Sequence, residues 1–263
     1  MMSRRKIICF LLLSLTGANH LAARSLTISA PDWPPFYIHD SDNLDHRGLA
    51  WDIVSSCVKS LAVDAEYEMY PIRRMFRYME LGELDLNIMS YKADRAKSVE
   101  FGKEIVFENS YGVWTSGSYR RQIRSIADLR DASIAQLIGL RPSDEFKAFM
   151  EERLARASEN PDSQKDTLVV NDPDQIVKML ASGRIDATVA SVAEISWRAR
   201  RLGLQNKIRF SGLVVQKQKY FFVVSRSSPY TRARPDLTRR MDQCVKELKK
   251  NGRMSQIHGR YKI

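Results

Sequence analysis

MFRYMELGELDLNIM (Met75–Met89) and IVKMLASGRIDATVA (Ile176–Ala190) are two copies of one local plan. In each, a helix-periodic stretch runs into a glycine. One polar residue, one apolar residue and an aspartate follow, and an apolar strand begins. Gly82 and Gly183 fit the left-handed position that stops a helix, and Leu84–Asp85 and Ile185–Asp186 open the strands. Helix–Gly–strand is common in α/β proteins, so coincidence is the competing reading; the shared aspartate weighs against it. Two such units about a hundred residues apart predict two similar α/β lobes rather than one continuous sheet.

Towards the N-terminus, LTISAP (Leu26–Pro31) alternates like a strand, and the prolines of DWPPFY (Asp32–Tyr37) force an extended loop. Trp33, Phe36 and Tyr37 on that loop are either core plugs or a ligand platform, and the residues alone favour the core plug. In GLAWDIVSSCVKSLA, Leu49, Ile53, Val54, Cys57, Val58 and Leu61 recur at helical spacing, which puts Cys57 on the buried face. EYEMYP (Glu66–Pro71) reads as a strand. Further on, Ala132–Leu137 reads as a strand that leads to Gly139, with a helix starting near Ser143. Residues 155–166 are polar, contain Pro161 and read as a surface loop. The tail from Leu237 to Leu248 is helical, with Met241, Cys244, Val245 and Leu248 on one face; Asn251–Gly252 stops it and a short last helix can follow.

Residues 1–23 read as a secretory leader. Arg4, Arg5 and Lys6 precede the apolar run Ile7–Leu15, and Ala22–Ala23 offers a small-residue cleavage site. The apolar run is short for a membrane span, and Cys9 lacks the context of a lipid-anchored cysteine. After Ala23 no stretch approaches a membrane-spanning length; Tyr220–Val224 is strand-sized. The expectation is a soluble, periplasmic, monomeric protein. Lys and Arg number 42 against 31 Asp and Glu, a formal charge of +11. In the cytoplasm that balance would suggest nucleic acid; export points instead to anionic small molecules or the envelope surface. The runs RARR (Arg198–Arg201) and TRAR (Thr231–Arg234) read as solvated basic faces. The histidines after the leader, His39, His46 and His258, are scattered, and no metal, phosphate-cradling or nucleophile motif occurs, so no cofactor is expected. An oxidising compartment permits a disulfide between Cys57 and Cys244.

The order of segments resembles the bacterial extracellular solute-binding proteins of family 3. The matching pieces are WPPF (Trp33–Phe36), GLAWDIV (Gly48–Val54), LGELDLNIM (Leu81–Met89), ADRAKSVEF (Ala93–Phe101), the strand-then-glycine Ile134–Gly139, SGRIDATVA (Ser182–Ala190) and VKELKKNGRMSQIHGRYKI (Val245–Ile263). Each is weak alone; their order and spacing are specific. The resemblance implies a type II periplasmic-binding-protein fold, two α/β lobes joined by two hinge strands, with residues 24–109 and 219–263 in one lobe and 110–218 in the other. It implies a small carboxylate-bearing ligand, an amino acid or related anion, held between lobes that close on it, and a membrane permease or sensor as partner. Arg95 matches the arginine that grips the ligand carboxylate, Trp33 the aromatic that covers the ligand, and Ser90 a hydroxyl donor of the same loop. The family fold also brings the helices of Cys57 and Cys244 into one lobe, which favours the disulfide; two buried free thiols remain the alternative.

Three departures bear on the ligand. Gly139 is followed by Leu140 and Arg141 where the family has small polar residues. Ser191 stands where the family has the acid that pairs with an α-ammonium, and Glu194 is the nearest acid. The loop NIMSYKADR is shorter than usual. An anion gripped by Arg95 and Arg141 fits these changes, and so does a zwitterion if Glu194 replaces the missing acid. An exported enzyme of the same fold, similar to cyclohexadienyl dehydratases, is the alternative function; it needs a proton-transfer group, for which only Glu194 or Asp32 offers itself.

Overall fold

The computed structural model describes residues 24–40, 43–138, 140, 143–159 and 166–261. The leader, Gly139, Arg141 and Pro161 lie outside the described residues. The strands are β1 (Leu26–Ala30), β2 (Ile38–Asp40), β3 (Asn43–Arg47), β4 (Ala65–Met69), β5 (Leu86–Ser90), β6 (Val99–Ser116), β7 (Ile134–Leu137), β8 (Thr167–Val170), β9 (Ala187–Ser191) and β10 (Ile208–Ser225). The helices are α1 (Leu49–Leu61), α2 (Ile72–Leu81), α3 (Asp144–Glu159), α4 (Pro173–Ala181), α5 (Val192–Arg201), α6 (Pro229–Arg232), α7 (Leu237–Lys250) and α8 (Arg253–Tyr261).

Both repeated units form as helix–turn–strand. Gly82 ends α2 at φ 78° and Gly183 follows α4 at φ 70°, a region where a side chain is strained. At Gly82 a Cβ would also lie 2.6 Å from the Ser227 carbonyl carbon. The two aspartates do the same job. Asp85 accepts from the Thr27 amide (2.7 Å) and hydroxyl (2.8 Å), and Asp186 accepts from the Ser133 amide (2.8 Å) and hydroxyl (3.0 Å). Asp85 thus ties the turn before β5 to Thr27 of β1, and Asp186 ties the turn before β9 to Ser133 just before β7. Asp85 is fully buried and also receives Arg24 and the Ser228 hydroxyl. Asp85→Asn turns one of its acceptor oxygens into a donor facing donors. It is expected to cost about 2 kcal/mol in urea unfolding, more than the same change at half-buried Asp186.

The sheet order is β4-β1-β5-β10-β6-β9-β7-β8. Backbone pairing is therefore continuous across eight strands, which the sequence reading of two separate sheets did not anticipate. The reason lies in two strands of 18 residues each, β6 and β10, which pair with each other along their length. One half of β10, Tyr220–Val224, pairs with β5; the far half of β6, Tyr111–Thr115, pairs with β9. Register shifts on β10 between Phe210 and Val223 interrupt the shared ladder, as bulges do where a sheet bends. The protein has the two-lobed α/β periplasmic-binding-protein fold. In the first lobe Trp51, Phe36, Phe222 and Leu49 are buried on one face of the sheet and Met79 with Val223 on the other. In the second lobe Ile176, Leu180 and Ile195 cover one face, and Phe146, Leu129 and Val189 the other.

Cys57 on α1 and Cys244 on α7 form a disulfide, Cα atoms 5.5 Å apart. Ser143 accepts from the Phe146 amide (3.1 Å) and caps α3. That helix runs to Glu159, so the expected loop at 155–166 starts later than its polarity suggests. Arg153 explains the extension. Buried by the fold, it donates to the carbonyls of Leu129, Ala132 and Asp166 and to the Thr167 hydroxyl, and Ala157 is buried one turn on. A charged helix surface in the sequence is here partly an inner face.

Candidate functional site

Strand direction decides where a site can form. β1 runs parallel to β4 and β5, and β7 parallel to β8 and β9. Because β10 is antiparallel to β5 and β6 antiparallel to β9, the carboxyl ends of both parallel sets face one junction. Crevices beyond the carboxyl ends of strands are where α/β sheets bind ligands. Trp33 follows β1, Ser90 ends β5 with Arg95 just after it, and Ser191 ends β9 with Glu194 in the first turn of α5. Of the seven residues singled out by sequence, these five gather at the junction; Gly139 and Arg141 lie outside the described residues.

Arg95 is half-buried. Its Nη1 donates to the Ser90 carbonyl (2.8 Å) and hydroxyl (2.9 Å), and its guanidinium lies 4.4 Å from the centre of the Phe76 ring. Among the described residues its Nε and Nη2 donate to no protein acceptor, which leaves one edge of the fork for a carboxylate. Burial holds this guanidinium below its ordinary value, yet it stays charged.

The floor comes from the hinge strands, whose role the sequence did not disclose. Tyr111 and Tyr220 meet hydroxyl to hydroxyl at 3.2 Å. Burial pushes both phenols up, so both remain neutral hydrogen-bonding groups. Tyr220 stacks on Phe107 at 4.7 Å, Phe107 on Phe36 at 4.6 Å, and Trp33 leans on Tyr220 at 5.3 Å. The aromatic loop therefore divides its work. Phe36 and Tyr37 are core plugs, while Trp33 keeps an exposed edge at the junction. Alternation on β6 places Phe107, Asn109 and Tyr111 on one face, a signal that could have found these residues but that the sequence reading did not use.

From the second lobe, Ser191 caps α5. It accepts from the Glu194 amide (3.3 Å) and donates to Asn109 Oδ1 (2.9 Å). Glu194 is buried, accepts from Arg198 Nε at 3.0 Å and lies close to the Trp33 indole across the junction. Burial raises this carboxyl above its ordinary value, and Arg198 opposes the rise. Arg198 also reaches Asp174 on α4 at 2.9 Å. The expectation of a solvated RARR face is thus corrected: Arg198 is 7% exposed because its helix face turns towards two carboxylates. A cavity of about 230 Å³ adjoins the junction between β6 at Glu108–Ser110 and α5 at Ala193, Ser196 and Arg200. Asn109 lines it, and its Nδ2 is buried without a partner among the described residues.

The pH dependence of Glu194 follows from its surroundings. A carboxyl whose folded pKa is raised takes up its proton more readily folded than unfolded. Its contribution is therefore most favourable below the ordinary value of 4.5 and is lost as pH climbs through the raised one. In Glu194→Gln that slope is expected to vanish. Urea midpoints of the two proteins from pH 4 upward check this, and parallel pH profiles would refute it.

Among the described residues no helix is long and apolar enough to cross a membrane and no cluster of metal ligands occurs. The model of the bacterial extracellular solute-binding proteins, family 3, matches residues 26–165 and 163–262. A probable amino-acid-binding protein of Bacillus subtilis, YxeM, is 18% identical over 229 residues, 86% of this chain and 79% of that one. Solved structures of similar fold include a histidine kinase sensor domain with similarity to periplasmic binding proteins. Its TM-score is 0.68 at 17% identity, covering 90% of this chain and 96% of that one. An ancestral arginine-binding protein bound to arginine gives 0.67 at 19%, covering 91% and 99%. The GluR0 ligand-binding core with L-glutamate gives 0.68 at 18%, covering 91% and 99%.

Proposed function

The chain belongs to the bacterial extracellular solute-binding proteins of family 3, and from that membership we propose that it captures a small carboxylate-bearing solute at the lobe junction in the periplasm. The observation that carries this reading is the half-buried Arg95 fork, one edge held by Ser90 and the other open. Residues 1–23 direct export. The lobes divide at 109/110 and 218/219, supported by the exchange of pairing partners along β6 and β10 there. Trp33 covers the ligand, Ser191 holds α5 in place, and Glu194 with Trp33 is the contact by which closure is sensed between lobes. Gly139 and Arg141 are assigned to the ligand by the family resemblance alone, since both lie outside the described residues.

The ligand is an acid without need of an ammonium partner. Glu194, the acid nearest the family's ammonium site, is already engaged by Arg198, and an incoming ammonium would have to compete with a buried guanidinium for it. A membrane permease or a sensor reads the closed form, in line with solved structures of similar fold that include a histidine kinase sensor domain and the substrate binding protein of an amino acid ABC transporter, and the chain acts as a monomer. Calorimetric titration with dicarboxylates, neutral amino acids and basic amino acids tests the reading; dicarboxylates are expected to bind most tightly. Tight binding of a neutral or basic amino acid that is lost in Glu194→Gln would overturn the ligand class.

The exported-enzyme reading rests on the same Glu194, because a raised carboxyl in a crevice has the direction of shift a general acid needs. The ion pair with Arg198 opposes that role. Unchanged concentration of a bound cyclic carboxylate after prolonged incubation separates binding from turnover.

A further inference from the structure

We propose a second binding site, for a phosphate-type oxyanion, at the end of the first lobe remote from the junction. A cavity of about 180 Å³ opens there, lined among others by Glu100, Arg226, Arg232, Arg234 and Thr238. Strand β10 connects the two places. Tyr220 stands at the junction and Ser225 lines the cavity, about 17 Å on at roughly 3.4 Å per residue. Occupants of the two sites therefore do not compete for space.

Three arginines line one small cavity, and their like charges, only partly screened by water, favour an anion among them. Among the described residues none of the three makes an ion pair, and Glu100 is the one acid lining the cavity. Two of the three are held in place by the protein without being neutralised. Arg226 spends only its Nε, on the carbonyls of Ala96 (3.3 Å) and Val99 (3.2 Å). Arg234 lies 3.9 Å over the Tyr230 ring and reaches that residue's carbonyl at 3.4 Å. Their remaining N–H groups, with those of exposed Arg232, form forks suited to a tetrahedral oxyanion.

Thr238 supplies an independent observation. It is 5% exposed, and its hydroxyl is buried with no hydrogen-bond partner among the described residues although the residue lines the cavity. Buried hydroxyls are normally partnered; this one is closed off as it stands, and rotation about its Cα–Cβ bond would let it donate to an oxyanion in the cavity. The run TRAR, read from sequence as a solvated basic face, is by this account half of a site.

The phosphoryl group can come from free inorganic phosphate or from an anionic phospholipid headgroup. Titration with inorganic phosphate at low salt, and flotation with phosphatidylglycerol vesicles against phosphatidylcholine vesicles, distinguish the two. Saturable phosphate binding marks the free ion. Recruitment to the anionic vesicles alone marks the headgroup. In either case Arg232→Gln, an exposed change that leaves the core intact, is expected to weaken binding about tenfold. Thr238→Val should weaken it less, and Glu100→Gln, which removes the opposing charge, should strengthen it several-fold. The proposal is overturned if neither probe binds, or if binding is indifferent to Arg232→Gln and Glu100→Gln.

Discussion

Arg95→Ala is expected to weaken binding of the junction ligand by somewhat more than a hundredfold, about 3 kcal/mol. Losing a charge-assisted, desolvated contact costs roughly 2–5 kcal/mol, and the guanidinium is only half-buried, so the middle of that range applies. Arg95→Lys should recover part of the loss, because an ammonium keeps the charge but cannot present two parallel donors. The native arginine also has structural contacts, to Ser90 and over Phe76, so each variant needs a urea unfolding curve beside its calorimetric titration. An alanine variant that folds normally and binds within twofold of the parent would remove Arg95 from the site.

The sequence disclosed whatever depends on neighbours in the chain. Gly82 and Gly183 stop their helices and Ser143 caps α3 through local geometry, and the paired aspartates were visible as a repeated pattern although their partners, Thr27 and Ser133, lie more than fifty residues away. Residues that follow strand ends, Trp33, Ser90, Arg95, Ser191 and Glu194, were found by resemblance in motif order, and the strand directions explain why they converge. Longer-range pairings stayed hidden. Tyr111 and Tyr220 are 109 residues apart and Asn109 and Ser191 are 82 apart, and no periodicity encodes which distant strand faces which. Arg198 was misread for the same reason. A basic run looks solvated until Asp174 from another helix is placed beside it. The continuous sheet followed from two strands far longer than the Tyr220–Val224 segment that hydropathy alone picks out.

Reducing the Cys57–Cys244 disulfide is expected to lower the stability of the first lobe by about 5 kcal/mol, or about 10–20 °C in melting temperature. The pair closes a loop of 187 residues, and the chain-entropy account of cross-linking gives its larger values for such long loops. The topology makes the effect local. α1 and α7 pack together in the first lobe, yet the chain between them passes through the whole second lobe. Without the bond, the C-terminal part of the first lobe is held to the N-terminal part by packing, by side-chain hydrogen bonds such as those of Asp242 to the Lys103 and Glu104 amides, and by the ladders of β10 with β5 and β6. The second lobe is one uninterrupted stretch with its own two apolar clusters and carries no cross-link. Adding a reductant should therefore advance unfolding of the first lobe and leave the second nearly where it was, splitting one thermal transition into two. Cys57→Ala with Cys244→Ala should reproduce the split without reductant. Alkylation of the denatured, unreduced protein followed by intact-mass measurement should find neither cysteine modified. A single transition that does not move on reduction would show that packing between α1 and α7 suffices on its own.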